Sequence, residues 1–336
     1  MVYWQELGKK VKKILFVVGP SGGHFFPAFR FALYAKRKNL PFQPLFCGEL
    51  PSSLVKILDK EDFSFFPLCF YPPSKSYPLF LISFLKNFLK FSSYLLKKKP
   101  ALLVSSGGYP SLGACTIGRI LGFLIAIYEP NIVPGKANLY LGRFAKIVLT
   151  GFPETTLFFS SHHAVSIGVP VGEIYPREGE ALLVVGGSQG SLFFNKKIPW
   201  LVKNFPGRII HLCGKQEING IRKIYGEKGE VLTHFFPMDK LYSKVKVCIS
   251  RGGAITLSEL AARGIPTLVV PLLTTYTSHQ RDNAYYFQKR FNFLVAEEKE
   301  VKGKIQTFLN SPLEVKLKKW KGVEEKFWKI IQSLLN

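Results

Sequence analysis

Acidic residues are scarce in this chain. It carries 22 of them against 46 lysines and arginines, a formal charge of +24 over 336 residues, with no carboxylate between Asp62 and Glu129. No two aspartates form a D-x-D pair, so a metal-held diphosphate is not indicated, no metal ligand is assigned and no cofactor is expected. The five cysteines (Cys47, Cys69, Cys115, Cys213, Cys248) never stand as C-x-x-C. That spacing argues against a disulfide framework or a thiolate zinc site and fits a reducing cytosol. The longest apolar run, Ile120–Tyr128, falls far short of the roughly 20 residues of a membrane span, so none is expected. The apolar stretch within Met1–Val18 runs directly into a glycine turn, which is not how a signal peptide ends. Also missing are a Walker loop, the dinucleotide G-x-G-x-x-G spacing and any zinc-finger, helix-turn-helix or K/R-G-F-x-F signature. Nucleic acid therefore ranks well below an anionic membrane surface as the partner of the positive charge.

What the chain has is glycine at the ends of apolar strands. Ala181–Val185 runs into Gly186-Gly187-Ser188-Gln189-Gly190, and Val247–Ile249 into Ser250-Arg251-Gly252-Gly253 followed by the helix-like Ala254-Ile255-Thr256-Leu257-Ser258-Glu259. Glycine lets backbone amides approach phosphate oxygens without a β-carbon in the way, and a helix N-terminus adds donors and partial positive charge. Two such loops can hold one nucleotide. Glu259, one turn inside its helix, is placed to accept hydrogen bonds from sugar hydroxyls. A third loop, Gly19-Pro20-Ser21-Gly22-Gly23-His24, follows the apolar Lys13–Val18 and precedes a helix with Pro27 near its start. It puts a histidine at the carboxyl edge of a sheet, where open α/β folds hold their ligands.

Strands are predicted near 13–18, 43–47, 101–105, 124–128, 147–149, 182–185, 208–212, 231–232, 247–249 and 267–270, mostly separated by helical patterns. Alternation of this kind gives an α/β protein with parallel sheets. The length and the 47% hydrophobic content suit two domains. Their break is expected at Gly168-Val169-Pro170-Val171-Gly172-Glu173, giving domains over 1–170 and 171–312, and a final helix over about 313–335 within the segment 313–336.

The window without carboxylates holds Lys75, Lys86, Lys90, Lys97, Lys98, Lys99 and Arg119, and places Phe80, Phe84, Phe88 and Phe91 at helical spacing. A basic helix rich in Phe and Leu lies in the headgroup region of anionic bilayers. The same spacing also suits a core helix whose lysines face water.

Six ordered motifs carry a resemblance that covers nearly the whole chain. They are Gly22-Gly23-His24 with Pro27, Gly107-Gly108-Tyr109-Pro110-Ser111, Glu129-Pro130-Asn131, Gly186–Gly190, Arg251–Glu259 and His279-Gln280-Arg281-Asp282-Asn283-Ala284. In this the chain resembles the MurG family, bacterial transferases that add N-acetylglucosamine (GlcNAc) from UDP-GlcNAc to lipid I, undecaprenyl-diphospho-N-acetylmuramoyl-pentapeptide, to give lipid II in peptidoglycan synthesis. The resemblance implies the GT-B fold: two Rossmann-like domains with parallel sheets facing a central cleft, and a C-terminal helix packing back toward the first. It implies peripheral attachment to the cytoplasmic face of the inner membrane through a basic, apolar patch, with cell-wall synthesis proteins as possible neighbours.

Carried onto this chain, it implies that Ser21, Gly22 and Gly23 meet the donor diphosphate and that His24 is the base for the acceptor 4-hydroxyl. Asn131 and Ser188, with Gln189 beside it, contact the donor. Phe235 presents its backbone to uracil. Ala254, Ile255 and Thr256 form the helix start beneath the diphosphate, Glu259 binds ribose, and Gln280 and Asn283 bind the GlcNAc hydroxyls. Gly107, Gly108 and Tyr109 lie on the acceptor side, and Phe80, Phe84, Lys86, Phe88, Lys90 and Phe91 on the membrane side.

The chain departs from the family in three places. Gly172 stands where relatives have a diphosphate-contacting arginine; either a nearby lysine or Arg251 substitutes for it, or donor affinity is lower. Tyr128 and Pro130 replace the usual His and Gln, and Gly252 replaces Ser. Two other readings share the nucleotide loops: another membrane-surface GT-B UDP-sugar enzyme, glycolipid-synthase-like or epimerase-like, and a catalytically impaired GT-B scaffold.

Overall fold

A strand that is apolar along its whole length belongs in a sheet covered on both faces, and the predicted strands of this kind lie at the centres of two parallel sheets. A computed structural model describes residues 11–72, 75–159, 163–214, 218–273, 278–318 and 320–336, so part of Met1–Val18 lies outside the described residues. The chain divides into two units, Met1–Pro170 with Gly322–Asn336, and Val171–Lys321.

The first unit is built from β1 (Lys12–Val18), α1 (Gly22–Arg37), β2 (Phe42–Gly48), α2 (Ser52–Lys60), β3 (Phe65–Pro67), α3 (Tyr77–Lys98), β4 (Leu102–Ser105), α4 (Gly108–Ile120), β5 (Ile125–Glu129), α5 (Lys136–Gly142), β6 (Ile147–Thr150), α6 (Pro153–Thr156) and β7 (Ala164–Ser166). The second runs β8 (Ala181–Val185), α7 (Leu192–Lys196), α8 (Ile198–Val202), β9 (Ile209–Leu212), α9 (Ile218–Tyr225), β10 (Gly229–Leu232), α10 (Met238–Tyr242), β11 (Val245–Ser250), α11 (Ala254–Ala262), β12 (Thr267–Val269), α12 (Ser278–Phe291), β13 (Leu294–Val295) and α13 (Val301–Asn310). The last helix, α14 (Val323–Leu335), belongs to the first unit.

The strand orders are β3-β2-β1-β4-β5-β6-β7 and β10-β9-β8-β11-β12-β13. In both sheets the order reverses beside the first strand. β1 pairs with β2 and β4 (Ile14 opposite Pro44 and Leu102), and β8 with β9 and β11 (Val184 opposite His211 and Ile249). Ligands of open α/β sheets bind at such switch points, outside the carboxyl ends of the strands. All four glycine loops, after β1, β4, β8 and β11, lie there.

The helix α3 corrects two expectations. At 22 residues with a best-window mean hydropathy of 1.3, it is long and apolar enough to cross a membrane by length and composition. The lysines scattered along it hide this when only uninterrupted apolar runs are sought. The second correction concerns the phenylalanines: Phe80 and Phe91 are buried with Leu95, and Phe84 and Phe88 pack against the same core. Their spacing is that of the core-facing stripe, so they are not the membrane-facing residues. The opposite side carries Ile82, Leu85, Leu89 and Leu96, three, four and seven residues apart and exposed, Leu85 at 68% and Leu89 at 77%. Polar bonds fix the rotation of the helix: Asn87 Nδ2 donates to the Cys69 carbonyl (2.8 Å) and the Tyr71 amide to Ser83 Oγ (2.9 Å). Lys90 keeps its ammonium 5.2 Å above the Phe66 ring.

The final helix begins ten residues later than expected. Asn310 ends α13, Ser311-Pro312 breaks the pattern, and α14 starts only after Gly322, whose φ of +64° is left-handed. It then packs on α1, with Phe327 stacked on Phe31 at 4.0 Å and Trp328 Nε1 donating to the Phe31 carbonyl at 2.8 Å. All five cysteines are free thiols, and burial pushes those of Cys47 and Cys248 up.

The two faces of α3 should separate cleanly in stability. Phe91→Ala removes a fully buried ring and should cost about 3–5 kcal/mol, read from the urea midpoint of the first unit's transition. Leu89→Ala should change it by less than about 0.5 kcal/mol.

Candidate active site

Each unit carries its own half-site. In the first, β1 ends in Gly19-Pro20-Ser21, and Ser21 takes the extended N-cap position of α1, its carbonyl accepting from the His24 and Phe25 amides. The first turn of α1 holds no acidic side chain. Ser21 Oγ, expected at the diphosphate, lies 3.1 Å from His24 Nδ1.

The imidazole is seated against three glycines. A β-carbon on Gly19 would lie 2.7 Å from His24 Nδ1, one on Gly108 3.0 Å from Cε1, and one on Gly107 3.4 Å from Cδ2. Gly107 and Gly108 also have left-handed φ of +91° and +80°. The loop after β4 therefore needs glycine for its backbone, and at Gly108 a β-carbon would also be tight against the ring. This brings together His24 and the Gly107-Gly108-Tyr109 run. Tyr109 reaches outward, its hydroxyl donating to Glu49 Oε2 at 2.8 Å, and burial together with Glu49 pushes the phenol's pKa up.

Glu129, which the motif reading passed over, organises the adjacent loop. Oε1 accepts from the Asn131 amide (2.9 Å) and Asn131 Nδ2 (2.8 Å), and Oε2 from the Gly135 amide and Asn138 Nδ2, both 3.0 Å. Burial pushes its carboxyl up and these four donors pull it down, the net direction being up. Asn138 in turn accepts from Ser105 Oγ at 2.8 Å, and Ser105 Oγ accepts from the Gly107 amide. One polar chain thus runs from Asn131 to the loop against His24. Tyr128 lies edge-on to Phe31 and donates to the Gly168 carbonyl at 2.9 Å.

In the second unit, β8 ends in Gly186–Gly190 with Ser188 and Gln189 exposed at the tip. Gly190 and Gly214 have left-handed φ, and their backbones touch: a β-carbon on Gly190 would lie 2.3 Å from the Cys213 carbonyl oxygen. The loop after β11 leads into α11 with Gly253 at the N-cap and no side-chain cap, so the amides of Ala254, Ile255 and Thr256 start a helix whose donors suit an anion. A β-carbon on Gly252 would lie 2.2 Å from the Gln280 carbonyl oxygen. Asn283 is buried and donates Nδ2 to the Gly252 carbonyl at 3.0 Å, while Gln280 Oε1 accepts from the Leu272 amide at 3.2 Å. Phe235 lies half-buried in the loop between β10 and α10. Glu259 is buried and accepts from the Tyr242 hydroxyl at 2.9 Å.

Arg251 does not stand in for the arginine absent at Gly172. Its Nη1 donates to the Val270 carbonyl, its Nη2 to Ser191 Oγ and Glu298 Oε1 (2.6 Å each), and its guanidinium lies 4.6 Å from the Phe194 ring centroid. It braces the two glycine loops instead. Gly172 itself has φ +73°.

Two parallel sheets with glycine loops at their switch points, one loop bearing a histidine and another an uncapped helix with a carboxylate inside, fit the class of GT-B glycosyltransferases. The glycosyltransferase family 28 N-terminal domain matches residues 14–150 and the family 28 C-terminal domain residues 181–325. The UDP-N-acetylglucosamine–N-acetylmuramyl-(pentapeptide) pyrophosphoryl-undecaprenol N-acetylglucosamine transferase of Blochmanniella floridana is 30% identical, with 87% of this chain and 86% of that protein covered. Its namesake from Thermosipho africanus is 29% identical, with coverage of 92% and 93%. The fold is shared with crystalline Acinetobacter baumannii MurG (TM-score 0.66, 24% identity, 89% and 91% covered) and with Neisseria meningitidis UDP-GlcNAc 2-epimerase (TM-score 0.64, 13%, 96% and 99%). The chain belongs to glycosyltransferase family 28 and, within it, to the MurG family.

The two adjacent glycines before α11 should respond differently. Gly252→Ala forces the start of α12 to move and should cost roughly 1–3 kcal/mol in thermal unfolding. Gly253→Ala, whose β-carbon meets nothing within 4 Å, should leave the midpoint nearly unchanged.

Proposed function

We propose that this protein is an inverting hexosyltransferase that moves GlcNAc from UDP-GlcNAc to lipid I, forming lipid II. The observation that carries the reading is His24, a basic nitrogen heterocycle held between two glycine loops at the switch point of the first sheet. The chemistry needs three things: a base for the incoming hydroxyl, room at the anomeric carbon, and relief of charge on departing UDP. Ser21 Oγ lies 3.1 Å from His24 Nδ1, and in the tautomer that carries its proton on Nδ1, Nε2 is the basic nitrogen. It takes the proton of the acceptor 4-hydroxyl as that oxygen bonds to the anomeric carbon and the C–O bond to the diphosphate breaks, its electron pair leaving with UDP.

Charge relief comes from backbone donors. The amides at Ala254, Ile255 and Thr256, with those of Gly22 and Gly23 and of the Ser188-Gln189 tip, take the diphosphate oxygens, each well-aimed donor contributing a few kcal/mol. Glu259 takes the ribose hydroxyls, the Phe235 backbone uracil, and Gln280 and Asn283 the GlcNAc hydroxyls, with Asn131 contacting the donor from the first unit. Gly107, Gly108 and Tyr109 shape the acceptor side.

The same reading places the protein on the cytoplasmic face of the plasma membrane as a peripheral protein. Ile82, Leu85, Leu89 and Leu96 enter the headgroup boundary, and Lys86, Lys90 and Lys97 meet anionic lipid, each basic residue contributing about 1 kcal/mol near the surface. Spanning is disfavoured because it would withdraw Phe80, Phe91 and Leu95 from the core.

Single-turnover measurement with UDP-GlcNAc and a lipid I analogue tests the activity. His24→Ala should lower turnover by about 10²–10⁴ while leaving the Kd for UDP within about twofold. Comparable turnover of the variant and wild type would remove the base assignment. On vesicles, Leu85→Glu with Leu89→Glu should abolish sedimentation with phosphatidylglycerol, as should reversing Lys86, Lys90 and Lys97 to Glu. UDP binding should survive both changes, and neutral vesicles should bind wild type far more weakly.

A further inference from the structure

We infer that Tyr242 is a positioning residue for nucleotide recognition: its hydroxyl fixes the Glu259 carboxylate in the orientation that takes the ribose hydroxyls. The inference rests on the reading of Glu259 as the ribose ligand. A glutamate has three side-chain torsions, and a free one would have to be ordered each time the nucleotide bound. Here the ordering is done by the fold. Tyr242 ends α10, is 1% exposed, and aims its hydroxyl at Glu259 Oε2 on α11 at 2.9 Å.

The ring itself is clamped. The Arg263 guanidinium lies 4.9 Å from its centroid. Arg263 Nη1 donates to the Glu259 backbone carbonyl, and Nη2 reaches Asp239 Oδ1 (2.9 Å) and the Val171 carbonyl (3.0 Å). The Arg263–Asp239 pair, with side chains only 4% and 10% exposed, ties α10 to α11 and gives the arginine its own counter-charge. Arg263 is thereby directed to the aspartate and to backbone carbonyls, while Glu259 receives a neutral phenol. A neutral donor orients a carboxylate without neutralising it, so the carboxylate keeps its strength as an acceptor for hydroxyls. Burial and the neighbouring Glu259 push the Tyr242 pKa far up, which keeps the phenol a donor at any working pH.

The test compares UDP with 2′,3′-dideoxy-UDP by calorimetry on the full chain, in four proteins: wild type, Tyr242→Phe, Glu259→Ala and the double variant. Tyr242→Phe keeps the ring on Arg263 and should raise the Kd for UDP about tenfold, the scale of one net hydrogen bond to a charged group. Its Kd for the dideoxy nucleotide should stay within about twofold, and in the Glu259→Ala background it should add nothing. Equal weakening of both nucleotides, no weakening of UDP, or a full additional effect in the double variant would each overturn the inference. If Tyr242→Phe is less stable, the ratio of the two Kd values still decides, because a general loss of structure moves both alike. Unchanged UDP binding in Glu259→Ala would instead overturn the ribose reading itself, and the positioning role with it.

Discussion

Backbone must come closer to other groups at the carboxyl edges of these sheets than any β-carbon allows, and both half-sites depend on that. Gly19, Gly107 and Gly108 enclose one imidazole, Gly190 meets the turn at Gly214, and Gly252 lies beneath the start of α12. Each close approach fixes a loop by steric contact rather than by a flexible side chain. The loops can then present amides in set directions without an ion to gather them. This fits a chain with no D-x-D pair. Preorganised dipoles substitute for a metal only where they do not have to reorganise.

Support for these loops comes from polar groups that face inward. Glu129, Asn138 and Ser105 hold the loops after β4 and β5, and Arg251 with Ser191 and Glu298 holds those after β8 and β11. Such residues look like binding residues in a sequence because they are polar and lie next to glycine motifs. The structure separates the two roles by counting partners. Arg251, a candidate for the charge lost at Gly172, directs both terminal nitrogens to groups of its own unit.

Much of the fold was legible because buried parallel strands read as unbroken apolar runs. The ten predicted strands are all present, with ends differing by one or two residues. The three that were missed, β3, β7 and β13, have two or three residues each and lie outside the central strands, where pairing follows the neighbour's position rather than the strand's own pattern. The phenylalanine stripe of α3 was read for its period, but period gives a face without saying what that face meets. The late start of α14 is hidden because 313–321 keeps an apolar and basic composition, although 313–318 is not helical. Within the site, glycines, His24 and Glu259 could be found from spacing. Tyr242 meets Glu259 and Arg263 meets Asp239 across 17 and 24 residues of chain, for which a single sequence carries no local signal.

The leucine ridge of α3 stands out from a molecule of charge +24. In dilute salt, like charge keeps two such ridges apart, and the same charge would draw each toward an anionic surface. Screening shortens the reach of both forces to about 8 Å at physiological ionic strength and to about 3 Å at 1 M. High salt would therefore remove the repulsion that keeps the exposed leucines of two molecules apart.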